Sequence, residues 1–474
     1  MEGKLQRFFG SQDLTAGSPS AGLIQFAVPL LIGNLAQQLY NTVDSIVVGK
    51  YVGDTALAAV GASGPIFNLL LVLFMGIATG ATIMVSQYFG ARQRQLLSDT
   101  VGTTVILTAL CSVFIMIVGP LATPPLMQML DTPQDIYSQA CSYLIIIFLG
   151  VAGPAFYNII SGILRGLGDS FMPLVFLLIS CALNIALDIF FVASCGWGVA
   201  GVAVATIIAQ VVSAVLCFIR LARMTDILDF GLKTLRLHRS LVARVVKLGL
   251  PSGLTQAIFS MAAIVVQRLT NSFGTTVIAV STVVMRVDGF AMMPNFTFGT
   301  AMTTFAGQNI GANRMDRVEQ GTKDGMRIGL IASAILVTAI LVFGGSLMRL
   351  FTTTGEVISL GVRMLRILAV GYIAVAVNQI LSGVMRGAGD TVTPMWISLA
   401  TTVAIRVPIA YALAYLTRSE AQPVGSPDSL FISLLVSWVL GAVFTVFAYR
   451  HGKWRSKAIT SVPTTEKESP AEQA

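Results

Sequence analysis

Long apolar stretches alternate with short polar ones along almost the whole chain. A stretch of about 20 apolar residues is long enough to cross the hydrocarbon core of a bilayer as a helix. The sequence holds twelve, centred near residues 35, 70, 111, 150, 182, 209, 259, 291, 337, 373, 405 and 440. The longest polar connection runs only from Arg220 to Lys247. The pattern therefore predicts an all-α membrane protein with twelve transmembrane helices and no soluble domain between them.

The charged residues are few and unevenly distributed. Of the 474 residues, 55% are hydrophobic and 11% are charged, against about 25% charged in a typical soluble domain. Alternating the loops between two sides places 22 of the 30 Lys and Arg on the side that holds both termini. The positive-inside rule then predicts cytoplasmic termini in a cell membrane, such as a bacterial cytoplasmic membrane. The net charge of +8 indicates contact with anionic lipids, and nucleic acid is not an expected partner.

The second half of the chain repeats the first. "SGILRGLGDSFMP", from Ser161 to Pro173, recurs 221 residues later as "SGVMRGAGDTVTP", and "QYFGARQ" from Gln87 recurs as "QNIGANR" from Gln308. Because six spans is an even number, both copies enter the membrane from the same side, which predicts two lobes related by a pseudo-two-fold axis along the membrane normal. The expected boundaries are an N-terminal segment 1–22, a first lobe 23–222, a linker 223–246, a second lobe 247–450 and a tail 451–474.

The repeated RGxGD stretch joins the fourth span to the fifth in the first copy and the tenth to the eleventh in the second. Its glycines permit left-handed turns, and Asp169 and Asp390 can cap the helices that follow. Intramembrane aspartyl proteases also contain GxGD, so an enzyme is a competing hypothesis. Both copies lie at the edge of the membrane, however, which favours a duplicated turn and a protein that is not an enzyme.

A polar stripe follows the otherwise apolar first span. Asn34, Gln37, Asn41 and Asp44 are spaced by three, four and three residues, so they share one face of a helix. An ionisable side chain inside a membrane costs several kcal/mol and is a functional candidate. We expect Asp44 to bind a cation and the three amides to support the cation site or line the cavity.

The fifth and sixth spans carry oxygen ligands to a depth similar to that of Asp44. Asn184 and Asp188 are four residues apart on one helix face, and Thr206 lies about 12 Å into the next span at helical rise. Two carboxylates that meet in a low-dielectric bundle cannot both stay charged without a cation. The four residues are therefore predicted to share a proton or to bind Na⁺. A water-satisfied position near the membrane interface remains the alternative for the two acids.

The second copy lacks this acidic pair, since Ile409 stands at the position that matches Asp188 and Val265 or Val266 at the one that matches Asp44. Its spans instead hold candidates for a substrate cavity or a second-lobe ion pair: Arg268, Arg286, Asp288, Met292, Asn378 and Arg406. We expect Asp288 to neutralise Arg268 or Arg286. Met292 is one of several methionines that can line an adaptable pocket or simply pack. The five cysteines and two histidines show no metal-binding spacing, so neither a resident metal nor a cofactor is expected.

Taken together, these motifs resemble the multidrug and toxic compound extrusion (MATE) family of efflux transporters, in its prokaryotic DinF-like branch. The resemblance rests on the 6+6 spans, the stretch from Pro29 to Gln37 that runs on to "NTVDSIVVG", the "QYFGA" loop, the repeated "RGxGDxxxP" and "NIALD". It implies export of lipophilic organic cations in antiport with H⁺ or Na⁺ by alternating access, with a cation site at Asp44, Asn184, Asp188 and Thr206. A monomer with small-molecule drugs and membrane lipids as partners is expected.

Two other transporter classes share part of this pattern. The NorM-like branch of the same family also uses acids in the seventh and tenth spans, which this chain lacks, so a second-lobe Na⁺ site is not expected. A lipid-linked oligosaccharide flippase shares the lobe architecture but needs a cationic cavity for a pyrophosphate. Arg268, Arg286 and Arg406 keep that alternative open, and the pairing of these arginines discriminates between the two functions.

Overall fold

The structure is a computed structural model that describes residues 11–231, 234–420 and 422–460, without the side chains of Asn41, Ser45 and Asp54. Parts of the predicted N-terminal segment and of the predicted tail, residues 1–10 and 461–474, therefore lie outside the described residues. Within the described residues, eleven helices are long and apolar enough to cross a membrane, and a pair bent by 50° completes twelve. In chain order the spans are Pro19–Tyr51, Asp54–Gly90, Arg94–Met129, Gln134–Leu149 with Ala152–Gly166, Phe171–Ser194, Gly198–Ala222, Arg239–Ser272, Thr275–Gly311, Met315–Arg349, Gly355–Gly387, Val392–Leu416 and Asp428–His451.

These helices confirm the predicted all-α fold of twelve spans. The first span begins at Pro19 and the seventh at Arg239, so both helices extend into stretches that we predicted as N-terminal segment and linker. Proline at the first helical position explains the first of these starts, because the missing N–H would be unpaired there anyway.

Two spans contain a π-helical segment. It runs over Ile189–Ser194 in the fifth span, directly after Asp188, and over Ala400–Ile405 in the eleventh, directly before Arg406. A π-helical turn widens the helix locally and is frequent at functional sites. In each lobe it therefore adjoins an ionisable residue that the sequence had identified.

Among the described residues, the two lobes pack most tightly at one end of the bundle. Every residue from 81 to 90 in the second span, and from 301 to 310 in the eighth, is buried, whereas the other halves of these spans are partly exposed. The buried ends lie on the side where the first span begins and the twelfth ends, which we call the terminal face. The cleft between the lobes therefore opens toward the opposite side.

Glycines make this close approach of the lobes possible. A Cβ atom on Gly80 would lie 2.3 Å from the carbonyl oxygen of Val245, and one on Gly249 would lie 2.4 Å from that of Gly76. No side chain fits between backbones at such distances, so the second and seventh spans cross in direct backbone contact.

The RGxGD stretches form the predicted turns. Gly168 and Gly389 have φ values of 87° and 95°, a left-handed conformation that only glycine adopts readily. Asp169 Oδ1 accepts a hydrogen bond from the N–H of Met172 at 3.0 Å, and Asp390 Oδ1 accepts one from the N–H of Thr393 at 3.2 Å. Both copies are therefore helix-capping turns, as expected.

Candidate cation site

Asp44 and Asp188 face each other inside the first lobe. Asp188 is fully buried and Asp44 is partly buried, and their carboxyl groups lie within hydrogen-bonding range of each other. The Oδ1 atom of each is buried and has no partner among the described residues. Buried polar atoms are rarely left unpaired, so the two oxygens indicate a site that takes up a proton or a cation.

Asn184 and Thr206 complete the group that the sequence predicted. With its amide oriented to satisfy both neighbours, Asn184 donates from Nδ2 to Asp188 Oδ2 at 3.0 Å and accepts at Oδ1 from the backbone N–H of Thr206 at 3.3 Å. The i, i+4 spacing puts Asn184 and Asp188 on one helix face, and the sixth span packs alongside. The structure thus brings all four predicted residues into one cluster.

Two tyrosines that sequence reasoning missed also belong to the site. Tyr40 and Tyr143 are 8% and 7% exposed, and both interact with Asp44 and Asp188. Tyr40 lies one helical turn before Asp44, so its position on the same face could have been found from the spacing. Tyr143 comes from the fourth span, and no pattern in the sequence connects it with the acids.

No basic side chain compensates the acid pair among the described residues that interact with it. Two buried carboxylates at this separation repel each other strongly, because the low-dielectric interior screens charge poorly. One proton shared between them, or one monovalent cation, removes that repulsion. The arrangement can therefore bind and release a single positive charge.

The other polar residues of the first span do not all join this cluster. Asn34 lies about 15 Å from Asp44 along the helix and donates to Thr297 Oγ1 of the second lobe at 2.9 Å. Asn34 therefore lies outside the cation site and connects the two lobes, which fits the alternative that it lines the cavity. Gln37 lies between the two, and the side chain of Asn41 is outside the described residues.

Comparison with known proteins identifies the family. The family model MatE matches the chain twice, over residues 29–190 and 251–412, once in each lobe. The chain belongs to the MATE family. It is 30% identical over 445 residues to the probable multidrug resistance protein YoeA of Bacillus subtilis (strain 168), covering 92% of this chain and 94% of that one.

Further relatives agree with that assignment. The probable multidrug resistance protein YpnP of the same organism is 28% identical over 444 residues, covering 94% of this chain and 98% of that protein. A crystal structure described as MATE in the bent conformation matches with a TM-score of 0.86 at 25% identity, over 92% of this chain and 96% of the other. The protein is a MATE transporter and not an enzyme.

The second lobe of this MATE transporter has a different charged group. Asp288 Oδ1 accepts a hydrogen bond from the hydroxyl of Tyr372 at 2.9 Å, and the positive charge that it interacts with belongs to Arg406. Arg406 Nε is buried without a hydrogen-bond partner among the described residues. The cluster joins the eighth, tenth and eleventh spans and carries no net charge.

The predicted pairing of Asp288 with Arg268 or Arg286 is wrong. Arg268 and Arg286 are both exposed, and neither forms an ion pair with a described residue. The physical reason is the helix period, since Arg286 and Asp288 are two residues apart and so point to different sides of the eighth span. The spacing along the chain could have excluded Arg286.

Met292 and Asn378 have packing and structural contacts in the second lobe. Met292 is half-buried against its hydrophobic core. Asn378 Oδ1 accepts hydrogen bonds from Ser382 at 3.1 Å and from Thr445 of the twelfth span at 2.8 Å. Asn378 therefore ties two spans together.

A crossed pair of glutamines closes the terminal face. Gln87 of the first lobe donates to the carbonyl of Gly387 at 2.8 Å, and Gln308 of the second lobe donates to that of Gly166 at 3.0 Å. Their Oε1 atoms accept from the backbone N–H of Ile459 and Leu14, at 2.7 and 3.0 Å. Each glutamine thus joins its own lobe, the turn of the other lobe and a segment next to one of the termini.

Proposed function

We propose that the protein is a proton-coupled multidrug efflux antiporter of the cell membrane, with both termini in the cytoplasm. The single observation that carries this proposal is the buried pair Asp44 and Asp188, which has no basic partner among the residues that it contacts. The names of the relatives YoeA and YpnP as probable multidrug resistance proteins support small-molecule drugs as the cargo. Lipophilic organic cations are the class that such an acidic lobe attracts.

Asn184 can stabilise a proton that the two acids share. With its amide oriented to satisfy both neighbours, it presents an N–H to Asp188, while its carbonyl oxygen accepts from the backbone N–H of Thr206. The opposite amide orientation turns the carbonyl oxygen toward Asp188 and suits a Na⁺ ion, so the choice of H⁺ rests on the two facing carboxyl groups. A proton needs only the two facing carboxyl oxygens, and a donor to the neighbouring Oδ2 stabilises the remaining negative charge.

In the proposed cycle, the charge of this acid pair controls whether the cleft is open or narrowed. The structure is closed at the terminal face and open on the other side, which is the outward-facing state when the termini are cytoplasmic. Proton uptake from outside removes the repulsion between Asp44 and Asp188, so that the first span, with Pro29 as its bend, repacks against the fifth and sixth spans. The cavity then narrows and the drug is released. A ligand shifts such an equilibrium only by its differential affinity for the two states.

Efflux from proteoliposomes tests the proposal. Ethidium efflux would be measured with a pH gradient and a Na⁺ gradient imposed separately, for the wild type, Asp44→Asn, Asp188→Asn and the control Asp316→Asn, an exposed acid at the terminal face. We expect efflux that follows the pH gradient in the wild type and the control and is absent in both site variants. Efflux driven by Na⁺ alone would overturn the choice of ion.

A second outcome separates the proposal from the flippase alternative. No drug efflux under either gradient, from correctly inserted protein, would contradict the antiporter. Retention of function by both site variants would contradict the role of the acid pair. The arginines do not decide between the two functions: Arg406 interacts with Asp288, whereas Arg268 and Arg286 form no ion pair with a described residue. The efflux measurement therefore separates the antiporter from a flippase with a pyrophosphate-linked cargo.

A further inference from the structure

A groove outside the transport cleft lies between the ninth and twelfth spans at the terminal face. It holds a cavity of about 490 Å³ whose lining includes Glu319, Lys323, Met326, Arg327, Tyr449 and Arg455. Its floor is apolar and its rim is basic. None of these residues takes part in the cation site or in the closure of the lobes.

The groove lies at the level of the lipid headgroups. In the ninth span the chain is uncharged from Ile328 to Met348, directly after Arg327, and in the twelfth span it is uncharged from Ser429 to Tyr449. The hydrocarbon core therefore ends near Arg327 and Tyr449 on this side. Tyrosine is also enriched at this boundary, where its ring is apolar and its hydroxyl is hydrated.

The charge in the groove is positive. Lys323 and Arg327 are exposed and one helical turn apart, so both side chains project from one face of the helix. Arg455 stacks over the rings of Trp454 and Tyr449, with its guanidinium carbon 4.7 and 5.8 Å from their centroids.

Acidic side chains offset this charge only in part. Glu319 is the one acid among the lining residues and lies 3.4 Å from Arg455. Asp324, beside the groove, is 4.0 Å from Arg327. Lys323 has no ion pair among the described residues. A net positive charge therefore remains on the surface that faces the headgroups.

The first lobe shows what covers the corresponding surface there. The residue that matches Lys323, 221 positions earlier, is Gly102, and a Cβ atom on it would lie 1.9 Å from the carbonyl oxygen of Thr234 in the linker. Thr103 donates to the carbonyl of Arg236 at 3.0 Å in the same place. The first lobe thus covers this surface with the chain's own backbone, whereas the described part of the second lobe leaves a basic groove.

We propose that this groove binds the headgroup of an anionic phospholipid. The phosphodiester lies between Lys323 and Arg327, within reach of Arg455, and the acyl chains run along the apolar surface between the ninth and twelfth spans. Lys and Arg supply charge-assisted hydrogen bonds to phosphate, and basic pockets between spans at a membrane face bind acidic headgroups. The inference needs only the membrane placement of the spans and does not depend on the coupling ion.

Lipid binding by the full-length protein in a neutral detergent tests this site without any transport step. Native mass spectrometry would follow binding of phosphatidylglycerol, of phosphatidylcholine with the same acyl chains, and of glycerol 3-phosphate as the water-soluble headgroup. We expect the protein to prefer phosphatidylglycerol over phosphatidylcholine and to bind little glycerol 3-phosphate. Substituting Lys323→Gln and Arg327→Gln together should weaken phosphatidylglycerol binding roughly tenfold or more, since each basic residue attracts an anionic headgroup.

Two further variants separate a specific site from general charge. Arg239→Gln with Lys247→Gln removes the same charge from exposed positions of the seventh span and should leave phosphatidylglycerol binding unchanged. Glu319→Gln removes the acid that offsets Arg455 and should strengthen binding, a gain that a purely structural role would not produce. Thermal unfolding of each variant in the same detergent checks that it is folded.

The proposal fails on any of three results. Equal binding of phosphatidylglycerol and phosphatidylcholine would remove the recognition of charge. Equal weakening by the control pair would show a nonspecific electrostatic effect. A gain in phosphatidylglycerol binding when residues 461–474 are deleted would show that the chain's own acid-containing tail fills the groove instead.

Discussion

The two lobes share a backbone plan but differ in the charges that they bury. The first lobe brings Asp44 and Asp188 together without a basic partner, whereas in the second lobe Asp288 interacts with the positive charge of Arg406. An uncompensated pair changes its energy strongly when a proton binds, and a neutral pair does not. Under the proposed function, this difference makes the first lobe the one that responds to the ion gradient and the second lobe a fixed scaffold.

At the terminal face, the two copies have the same residue types at equivalent positions. Gln87 and Gln308 make equivalent crossed bonds, and Asp169 and Asp390 cap equivalent turns. Each capping acid also has a basic partner at 2.9 Å, Arg220 or Lys457. We therefore expect conformational change at the terminal face to involve both lobes equally, whereas the proposed ion binding involves one.

The largest expected effect is the difference in efflux between two variants, each of which neutralises one acid, Asp44 in the first lobe or Asp288 in the second. Asp44→Asn should reduce gradient-driven efflux to the background of empty vesicles, because an amide cannot take up and release the coupling proton. Asp288→Asn keeps the volume and a partner for Tyr372 and should leave coupling to the gradient in place. Efflux per inserted protein, measured for both variants side by side, checks this contrast. Equal losses would mean that the second lobe also responds to the ion.

The contact between the lobes offers a second test, because it depends on glycines, which have no side chain. Gly80→Ala would force a methyl group against the carbonyl of Val245, and overpacking of this kind costs about 1–3 kcal/mol. We expect the terminal face to open and efflux to fall roughly tenfold. Spin labels on the two lobes would report the distance between them. Gly61→Ala is the control, since nothing lies within 4 Å of that position.

The neutral cluster of the second lobe should contribute to stability. Arg406→Gln and Asp288→Asn should each lower the free energy of unfolding by about 1–3 kcal/mol, because each removes a charge with which the other interacts, although the two form no direct ion pair. The double variant should lose less than the sum of the two. Chemical unfolding in detergent measures all three, with the exposed Asp316→Asn as the control. Strict additivity would show that Asp288 and Arg406 do not interact.

The architecture and part of the cation site could be predicted from the sequence, because each leaves a regular pattern of residues along the chain. Spans are visible because a bilayer imposes about 20 apolar residues, and Asn184 and Asp188 are visible because helical spacing places them on one face. Tyr143 was missed because its approach depends on how the bent fourth span packs. Arg406 was not assigned to Asp288 because pairing across three spans leaves no periodic signal.

The basic groove was missed for a similar reason. Lys323 and Arg327 are plain in the sequence, where they count toward the positive-inside bias. Their role as a basic groove depends on the lack of a covering segment in the described part of the second lobe, which becomes visible only beside Gly102 and the linker of the first lobe. A surface that is open in the described part of one copy and covered in the other cannot be deduced from residue types alone.

The smallest expected effect concerns the two glutamines that close the terminal face. Gln87→Ala and Gln308→Ala each remove one crossed hydrogen bond and one bond to a segment near a terminus. A hydrogen bond contributes about 0.5–1.5 kcal/mol, so each variant should shift the population toward the terminal-face-open state several-fold. Distance distributions between spin-labelled lobes measure that shift, with the exposed Gln95→Ala as the control.

The two glutamine variants should shift the population by similar amounts, because their contacts are equivalent. Their agreement would show that closure belongs to both lobes, in contrast to ion binding. A large shift for Gln87→Ala and none for Gln308→Ala would contradict this and would mean that the lobe with the acid pair also controls the gate. The duplicated turns would then be a shared scaffold without a shared role in the conformational change.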